Sequence, residues 1–462
     1  MMDATPDEVT TGPPVVESRS AALLAWYAFG ILLLTTVFAL LDRQIITLVM
    51  PSLQTSLRLS DLQLGALQGL GMALFAGIAG YPIGWLADRY GRRRLLAACI
   101  FVWSVATAAC ALQRSYAGLL LATIGLAVGE AGLIPITFGI LPDLFAGRQR
   151  VAANFIYFGG ASLGAAAGMA LDGVLLHWLT QYPSFLPEWL RSLEPWRVAM
   201  LIVAVPAPII MTIVATLPIP GHRLEQDAQR LSTGAGNARL APLVRRHWQT
   251  FTYVFIGIIG FNLPLVAAAA WLPLALSRVF GLEPAVAGAP IGGALGVAGV
   301  AGVLLPSIAT YMWRGDVVLK PLRIARMFAV LGIVPAALEL FVSAPWQLLA
   351  LASAQYALAV ATAAGLPTAV QDISPCALRS RILSLITVVT AIAGALSSIL
   401  VGGLSGLFAT PRGILLAITC VGLPGWLLSV TLFTLASRFF TATVREVQLD
   451  PGAGVLQTSV WD

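Results

Sequence analysis

Gly84-Trp85-Leu86-Ala87-Asp88-Arg89-Tyr90-Gly91-Arg92-Arg93-Arg94 sets one acid, four arginines and two glycines between two long apolar runs. Charges cost too much in hydrocarbon to be strung along a lipid-facing helix, so a cluster this dense marks a loop at a membrane surface. The runs on either side are each long enough to cross a hydrocarbon core of roughly 30 Å, which takes about 20 helical residues. The same alternation of apolar run and polar joint continues in both directions along the chain.

Of 462 residues, 58% are hydrophobic and 10% charged, against about 45–50% and 25% in soluble domains. Twelve apolar runs emerge, at roughly 24–50, 62–87, 95–112, 116–140, 152–178, 196–217, 249–276, 286–312, 323–343, 346–370, 381–406 and 413–437. Lipid cannot satisfy open backbone groups, and each run is too long and continuous for a barrel strand, so the spans are predicted to be helices. The fold class is an all-α integral membrane protein, with twelve transmembrane helices in two six-helix halves. Residues 1–20 read as a polar tail, 21–217 as the first half, 218–248 as a linker, 249–437 as the second half and 438–462 as a C-terminal tail. The first stretch has neither the basic start nor the small-residue cleavage site of a signal peptide.

Basic residues give the orientation. Of 27 lysines and arginines, Arg58, Arg114, Arg191, Arg197, Arg278 and Arg412 fall in the loops of one side, Arg43 falls within a span, and the rest lie on the other side. The positive-inside rule makes the richer side cytoplasmic, with both termini there, and the expected location is the cell inner membrane. The net charge of +6 is spread over every cytoplasmic loop, which points to topology and to membrane lipid headgroups and away from nucleic acid. Cys99 and Cys110 are separated by about 16 Å along one helix, too far for a disulfide. The histidines and cysteines have no metal-ligand spacing, and no Walker loop or zinc motif occurs. No metal, cofactor or enzymatic activity is expected.

The spacing G-x-x-x-D-R-x-G-R-R-R from Gly84 to Arg94 is that of the loop between the second and third spans of major facilitator transporters, and the chain resembles that superfamily. Its halves echo each other. Pro135 through Arg148-Gln149-Arg150 leads into one glycine-rich span, and Pro367 through Arg379-Ser380-Arg381 into another, as in parallel repeats that build a central cavity. The counterpart of the opening motif, Tyr311-Met312-Trp313-Arg314-Gly315-Asp316, keeps only charge and a glycine, so the main cytoplasmic gate is predicted in the first half.

Leu41-Asp42-Arg43, Val128-Gly129-Glu130-Ala131, and Asp143-Leu144-Phe145 followed by Arg148 and Arg150 are similar to the Spinster branch, with Trp271-Leu272-Pro273 a fainter echo. From residue 280 onward the chain supports the superfamily and not the branch. The resemblance implies a proton-driven carrier of lysophospholipids or sphingoid phosphates with its charged core on spans one and four. A proton-coupled carrier of a small organic anion or drug, and a non-transporting membrane sensor of the same fold, remain as alternatives. The architecture requires no oligomer, so a monomer is expected.

Asp42 and Arg43 interrupt an apolar run, and each charge near a helix centre costs about 2.5–3.5 kcal/mol on insertion scales. Glu130, deep in span four, is the natural partner of Arg43. Helical neighbours point about 100° apart, so one of Asp42 and Arg43 is predicted to face the cavity and the other its rim or a neighbouring helix. Arg43 is expected to attract an anionic headgroup while Glu130, assisted by Asp42, takes up a proton when substrate displaces the pair. A permanent buried pair that fixes helix register is the competing reading.

In the opening motif, Gly84 is predicted to admit a helix of the other half and Asp88 to accept hydrogen bonds at a facing helix N-terminus, with Gly91 a further residue of the same gate. Arg89, Arg92, Arg93 and Arg94 are expected to bind carboxylates or lipid phosphates, together latching the cytoplasmic side. Gly159, Gly160, Gly164 and Gly168 in span five, and Gly394, Gly402, Gly403 and Gly406 in span eleven, read as close-packing positions. Asp172 and His177 are expected near water, and Glu339 and Asp372 at a rim or gate. Asn262, Gln355 and Tyr356 are candidates for the cavity wall, and Trp271 for either that wall or an interface anchor.

Overall fold

The computed structural model of the protein describes residues 19–145, 147–217, 240–312, 318–375, 378–408 and 410–449. Twelve helices among them are long and apolar enough to cross a membrane: Ala22–Leu48, Asp61–Gly80, Arg92–Leu112, Tyr116–Leu141, Gly159–Gln181, Pro195–Thr216, Trp248–Phe280, Pro284–Met312, Lys320–Phe341, Pro345–Asp372, Leu385–Leu407 and Gly413–Val447. They are numbered here as spans one to twelve. The last helix runs on to Leu449, so the predicted C-terminal tail from 438 begins inside a helix, which Arg438, Arg445 and Glu446 continue past the apolar run. The predicted tails at 1–18 and 450–462 and most of the linker, 218–239, lie outside the described residues, and Leu240–Arg246 forms a short helix before span seven.

Local chemistry starts and stops these helices. Ser60 caps span two through a reciprocal box with Gln63, Ser115 caps span four, and prolines open spans six, eight and ten, where a missing N–H costs nothing. Gly91 has φ +93°, a backbone region that L side chains rarely adopt, so the second motif glycine is what turns span two into span three. Gly281, at φ +69°, ends span seven in a left-handed cap. The G-x-S-x-G spacing from Gly160 to Gly164 falls within one continuous helix, and not at the strand-to-helix elbow that such a spacing serves in hydrolases.

Spans one to six and seven to twelve form two bundles that meet along spans two and eleven and spans five and eight. An even number of spans brings Arg19 and Leu449 to one side, called the basic face. Away from that face the bundles touch through glycine. A Cβ on Gly69 would stand 2.6 Å from the Ala395 carbonyl, one on Gly173 2.7 Å from Gly288 Cα, and one on Gly292 2.5 Å from the Ala166 carbonyl. Within the first bundle Gly164 faces Val37 at 3.1 Å and Gly168 faces Leu41 at 2.7 Å. The close-packing role predicted for these glycines is met at Gly160, Gly164, Gly168 and Gly402, while Gly159, Gly403 and Gly406 have open space or ordinary contact.

Closure of the face opposite the basic one is completed by polar groups. Arg278, near the end of span seven, donates to Asp61 Oδ2 at 2.7 Å, to Gln54 Oε1 at 2.9 Å and to Ser405 Oγ at 3.1 Å, and also meets Asp61 Oδ1. Gln54 and Ser405 each donate to Asp61 at 2.7 Å. Three donors, one from the first bundle and two from the second, thus share the Asp61 carboxylate. On the basic face, by contrast, no described residue lies within 4 Å of a Cβ built on Gly84. Arg92 donates to the Gly139 carbonyl, Arg93 to the Leu217 carbonyl at 3.1 Å, and Arg89 lies over the Trp85 ring at 5.5 Å. All these partners belong to the first bundle. The side chains of Asp88, Asp143, Arg148, Arg150, Arg379 and Arg381, and residues 313–316 of the second-half counterpart, lie outside the described residues.

Candidate functional site

Where the bundles separate toward the basic face they leave a cavity of about 840 Å³, within the roughly 300–1,000 Å³ of small-molecule sites. Spans one and two supply Arg43, Gln44, Thr47 and Gln68; spans ten and eleven supply Tyr356 and Ser398; most other lining groups are aliphatic or glycine. Polarity is therefore concentrated on one wall. Leu163 on span five and Val303 and Leu304 on span eight line the cavity and are exposed, because these two helices pack through Gly173, Gly288 and Gly292 and stand apart at Gly159.

Arg43 projects into this cavity and Asp42 away from it, as the 100° step between helical neighbours requires. The Arg43 guanidinium donates from Nη1 to Glu130 Oε2 at 3.5 Å and from Nη2 to the Met72 carbonyl at 3.3 Å. Two local departures from α-helix position these partners. Residues Leu67–Leu74 of span two form a π-helix, in which the Phe75 N–H bonds to the Leu70 carbonyl; such wide turns recur at functional sites. Span four breaks after Ala131, one residue beyond Glu130. Gly129 makes room there, since a Cβ on it would come 2.6 Å from the Trp103 nitrogen. The motif glycine is thus the reason Glu130 reaches its place.

The Arg43 side chain is 33% exposed and that of Glu130 8%, so the cation meets the cavity while the carboxylate is buried behind it. Glu130 Oε1 has no partner among the described residues. Asp42, 1% exposed, faces span three, where Thr107 Oγ1 donates to its Oδ2 at 2.5 Å. The same hydroxyl lies 3.1 Å from the Trp103 carbonyl, and with one proton to give it serves the closer acceptor. Asp42 Oδ1 and the neighbouring Trp103 indole N–H are outside hydrogen-bond geometry with any described group. The result is two buried carboxyls, each with one unpartnered oxygen, beside one cavity-facing guanidinium.

Several expectations need correction. Asp172 is buried at 1% exposure, turned toward the first bundle's interior, while His177 one and a half turns on is exposed. Glu339 is also buried, at 1%, and is no rim residue. Trp271 is fully buried and so does not anchor at an interface. Tyr356 lines the cavity, whereas Gln355 and Asn262 point into the second bundle, the latter bonded to its own helix at the Ile258 carbonyl. Helical phase decides each of these, and a run of uniformly apolar residues carries no phase. The Asp61–Arg278 closure was not anticipated either: Asp61 reads as an ordinary helix-start acid after Ser60, and its partner is 217 positions away.

A twelve-helix bundle pair enclosing a charged central cavity, closed on one face and open on the other, is an architecture that alternating-access transporters use. The model of the Major Facilitator Superfamily matches residues 32–398, and the chain belongs to that family. It is 24% identical to the probable L-galactonate transporter of Escherichia coli over 60% of each chain. It is 26% identical to the sphingosine-1-phosphate transporter of Xenopus tropicalis over 54% of this chain and 46% of that one. The chain spans 27–61% of the length of these curated relatives. Among solved structures, a bacterial homolog to the human lysosomal transporter Spinster, inward-facing and unoccupied, superposes with a TM-score of 0.70 at 21% identity, covering 95% of this chain and 100% of that one.

Proposed function

We propose that the protein is a proton-coupled secondary transporter that moves an amphiphilic anion, a lysophospholipid or sphingoid phosphate, by alternating access. The observation that carries this reading is the single cation among the described lining residues, Arg43, set on the polar wall of a cavity whose remaining surface is mostly aliphatic. A phosphate headgroup pairs with the guanidinium, and an acyl tail lies along Leu163, Val303 and Leu304. Likeness to a sphingosine-1-phosphate transporter supports the lipid class.

In this mechanism the headgroup competes with Glu130 for Arg43. Released from its cation in a buried setting, Glu130 takes up a proton, with Asp42 and Thr107 beside it as the relay. The positive-inside rule makes the basic face cytoplasmic, so the arrangement is inward-facing, with the Asp61–Arg278 closure on the outer side. The Gly84–Arg94 motif re-forms the opposite closure in the outward-facing state. The protein acts as a monomer in the inner membrane, with both termini cytoplasmic and no cofactor.

Liposomes carrying an internal pH dye test this directly. Wild type should acidify or alkalinise the lumen when a labelled lysophosphatidate or sphingosine phosphate is added across a proton gradient, and Glu130→Gln should move lipid without protons. A second reading, transport of a small organic acid, is favoured by likeness to the galactonate carrier. Proton flux driven by galactonate and not by either lipid would replace the lipid reading with it.

A further inference from the structure

Two buried acids, Asp172 in the first bundle and Glu339 in the second, stand outside the charge pair. Glu339 lies in the 3-10 turn Glu339–Phe341 that ends span nine, is 1% exposed, and is held in a relay of neutral groups. Trp426 Nε1 donates to Gln355 Oε1 at 3.2 Å, and Gln355 Nε2 donates to Glu339 Oε1 at 2.6 Å. An indole nitrogen can only donate, so the amide oxygen must face Trp426 and the amide NH₂ must face Glu339. The indole cannot turn away: a Cβ on Gly332 would come 2.5 Å from its ring, which marks how tightly span nine clamps it. Glu339 Oε2 has no partner among the described residues.

Spans nine, ten and twelve pack around this turn. Their charged residues are Lys320, Arg323 and Arg326 on span nine, Asp372 on span ten, and Arg438, Arg445 and Glu446 on span twelve, all toward the basic face. Arg326, the nearest of them along span nine, is about 20 Å away at 1.5 Å per residue. Arg412, at the start of span twelve, is exposed, Tyr356 faces the cavity, and Glu339 forms no ion pair among the described residues, its partner being Gln355. An ionised carboxylate would set a full charge against one neutral donor with its second oxygen dry and unpartnered. A carboxylic acid puts its hydroxyl on Oε2 and keeps the Gln355 bond unchanged.

We infer that Glu339 is a second proton-binding site, in the C-terminal half, loaded while the face opposite the basic one is closed by Asp61 and Arg278. It is separate from the Arg43–Glu130 pair, and the inference holds whatever the substrate. Spans ten and twelve pack on both the Glu339 turn and span seven, which carries Arg278, so opening of the Asp61–Arg278 closure is expected to loosen the end of span nine and let the proton exchange.

Infrared absorption of the carboxylic C=O stretch, recorded on the full chain in lipid nanodiscs from about pH 5 to about pH 9, reads this site. Wild type should show a carboxylic acid band that is lost in Glu339→Gln and retained in Glu130→Gln. In Arg278→Ala, which favours the open state, that band should be lost at lower pH than in wild type. Glutamine keeps an acceptor for Gln355; if that variant does not fold, Trp426→Phe, which frees the amide, should shift the same band. A Glu339 band that is absent at every pH, or that keeps its full intensity to the highest pH in both wild type and Arg278→Ala, overturns the inference. So does its loss on adding sodium at fixed pH, which would make the ligand a metal cation. Failure of Glu130→Gln to uncouple transport would leave this result untouched, so the two readings fail separately.

Discussion

Arg278→Ala should open the face that Asp61 closes. Asp61 is 8% exposed and receives hydrogen bonds from Arg278, Ser405 and Gln54, of which Arg278 supplies the charge. The bonds from Arg278 and Ser405 join the two bundles, so they exist only while that face is shut, whereas Gln54 donates from within the first bundle. A hydrogen bond to a charged group is worth about 1.5–3 kcal/mol net. Because both side chains keep some contact with water, about 2 kcal/mol is a reasonable share for the guanidinium, which corresponds to about a 30-fold change in the closed-to-open ratio. Spin labels at Thr55 and Glu283, exposed positions on that face from opposite bundles, in a cysteine-free background, would report it by pulsed electron paramagnetic resonance. The ratio of long- to short-distance populations should rise by about that factor, Arg412→Ala should leave it unchanged, and Asp61→Arg combined with Arg278→Asp should restore the short distance. An unaltered distribution in Arg278→Ala would refute the assignment of this cluster as the closure.

Gly402→Ala should act in the same direction, because its Cβ would collide with the Asp61 carbonyl and stand 3.1 Å from Gly65 Cα; overpacking of about 1–3 kcal/mol should again lengthen the Thr55–Glu283 distance. Arg43→Lys should weaken lysophosphatidate binding about ten- to a hundredfold, measured by calorimetry, since an ammonium cannot hold Glu130 and the Met72 carbonyl with one planar fork; equal affinity would remove Arg43 from the headgroup site. Glu194, in the loop before span six, sits in a semi-buried niche that alone would raise its pKa, but hydrogen bonds from Ser56 and Arg197, the Arg197 charge and Trp196 together bring it below the ordinary value. Its contribution to stability is therefore full above the unfolded carboxyl value of about 4.3 and lost as pH falls through the lower folded value. Thermal melts of wild type and Glu194→Gln should differ at neutral pH and converge in acid; a constant gap would show that the charge is not what stabilises.

The fold was legible because lipid imposes one rule on every backbone group, and twelve apolar runs can obey it in only one way. The Arg43–Glu130 pair was legible for the same reason: a charge in a span must find a partner, and few were available. What stayed hidden is whatever depends on helical phase or on contacts between bundles. Asp172, Glu339 and Trp271 lie in runs where every face is apolar, so nothing in the sequence says which side they take. The π-helical turn at Leu67–Leu74 leaves no compositional trace beyond Gly69 and Gly71. The Asp61–Arg278 closure joins spans two and seven, and each partner alone resembles an ordinary loop charge.

Span two ties these features together. At one end it carries Asp61 of the closure, at the other Gly84 and the arginine motif, and between them the π-helical segment whose Met72 carbonyl holds Arg43 and whose Gly69 meets Ala395 of the second bundle. On the proposed mechanism a headgroup that draws Arg43 away from Glu130 also releases Met72, and so acts on the helix that makes both gates. No long chain of contacts is then needed between site and gate, since one rigid element with two seats is biased by both. The consequence is measurable with the same labels: Arg43→Ala, which touches neither gate, should change the Thr55–Glu283 distribution in the absence of any ligand. Identical distributions in wild type and Arg43→Ala would mean that the charge pair and the closure are set independently, and coupling would then have to run through spans five and eight.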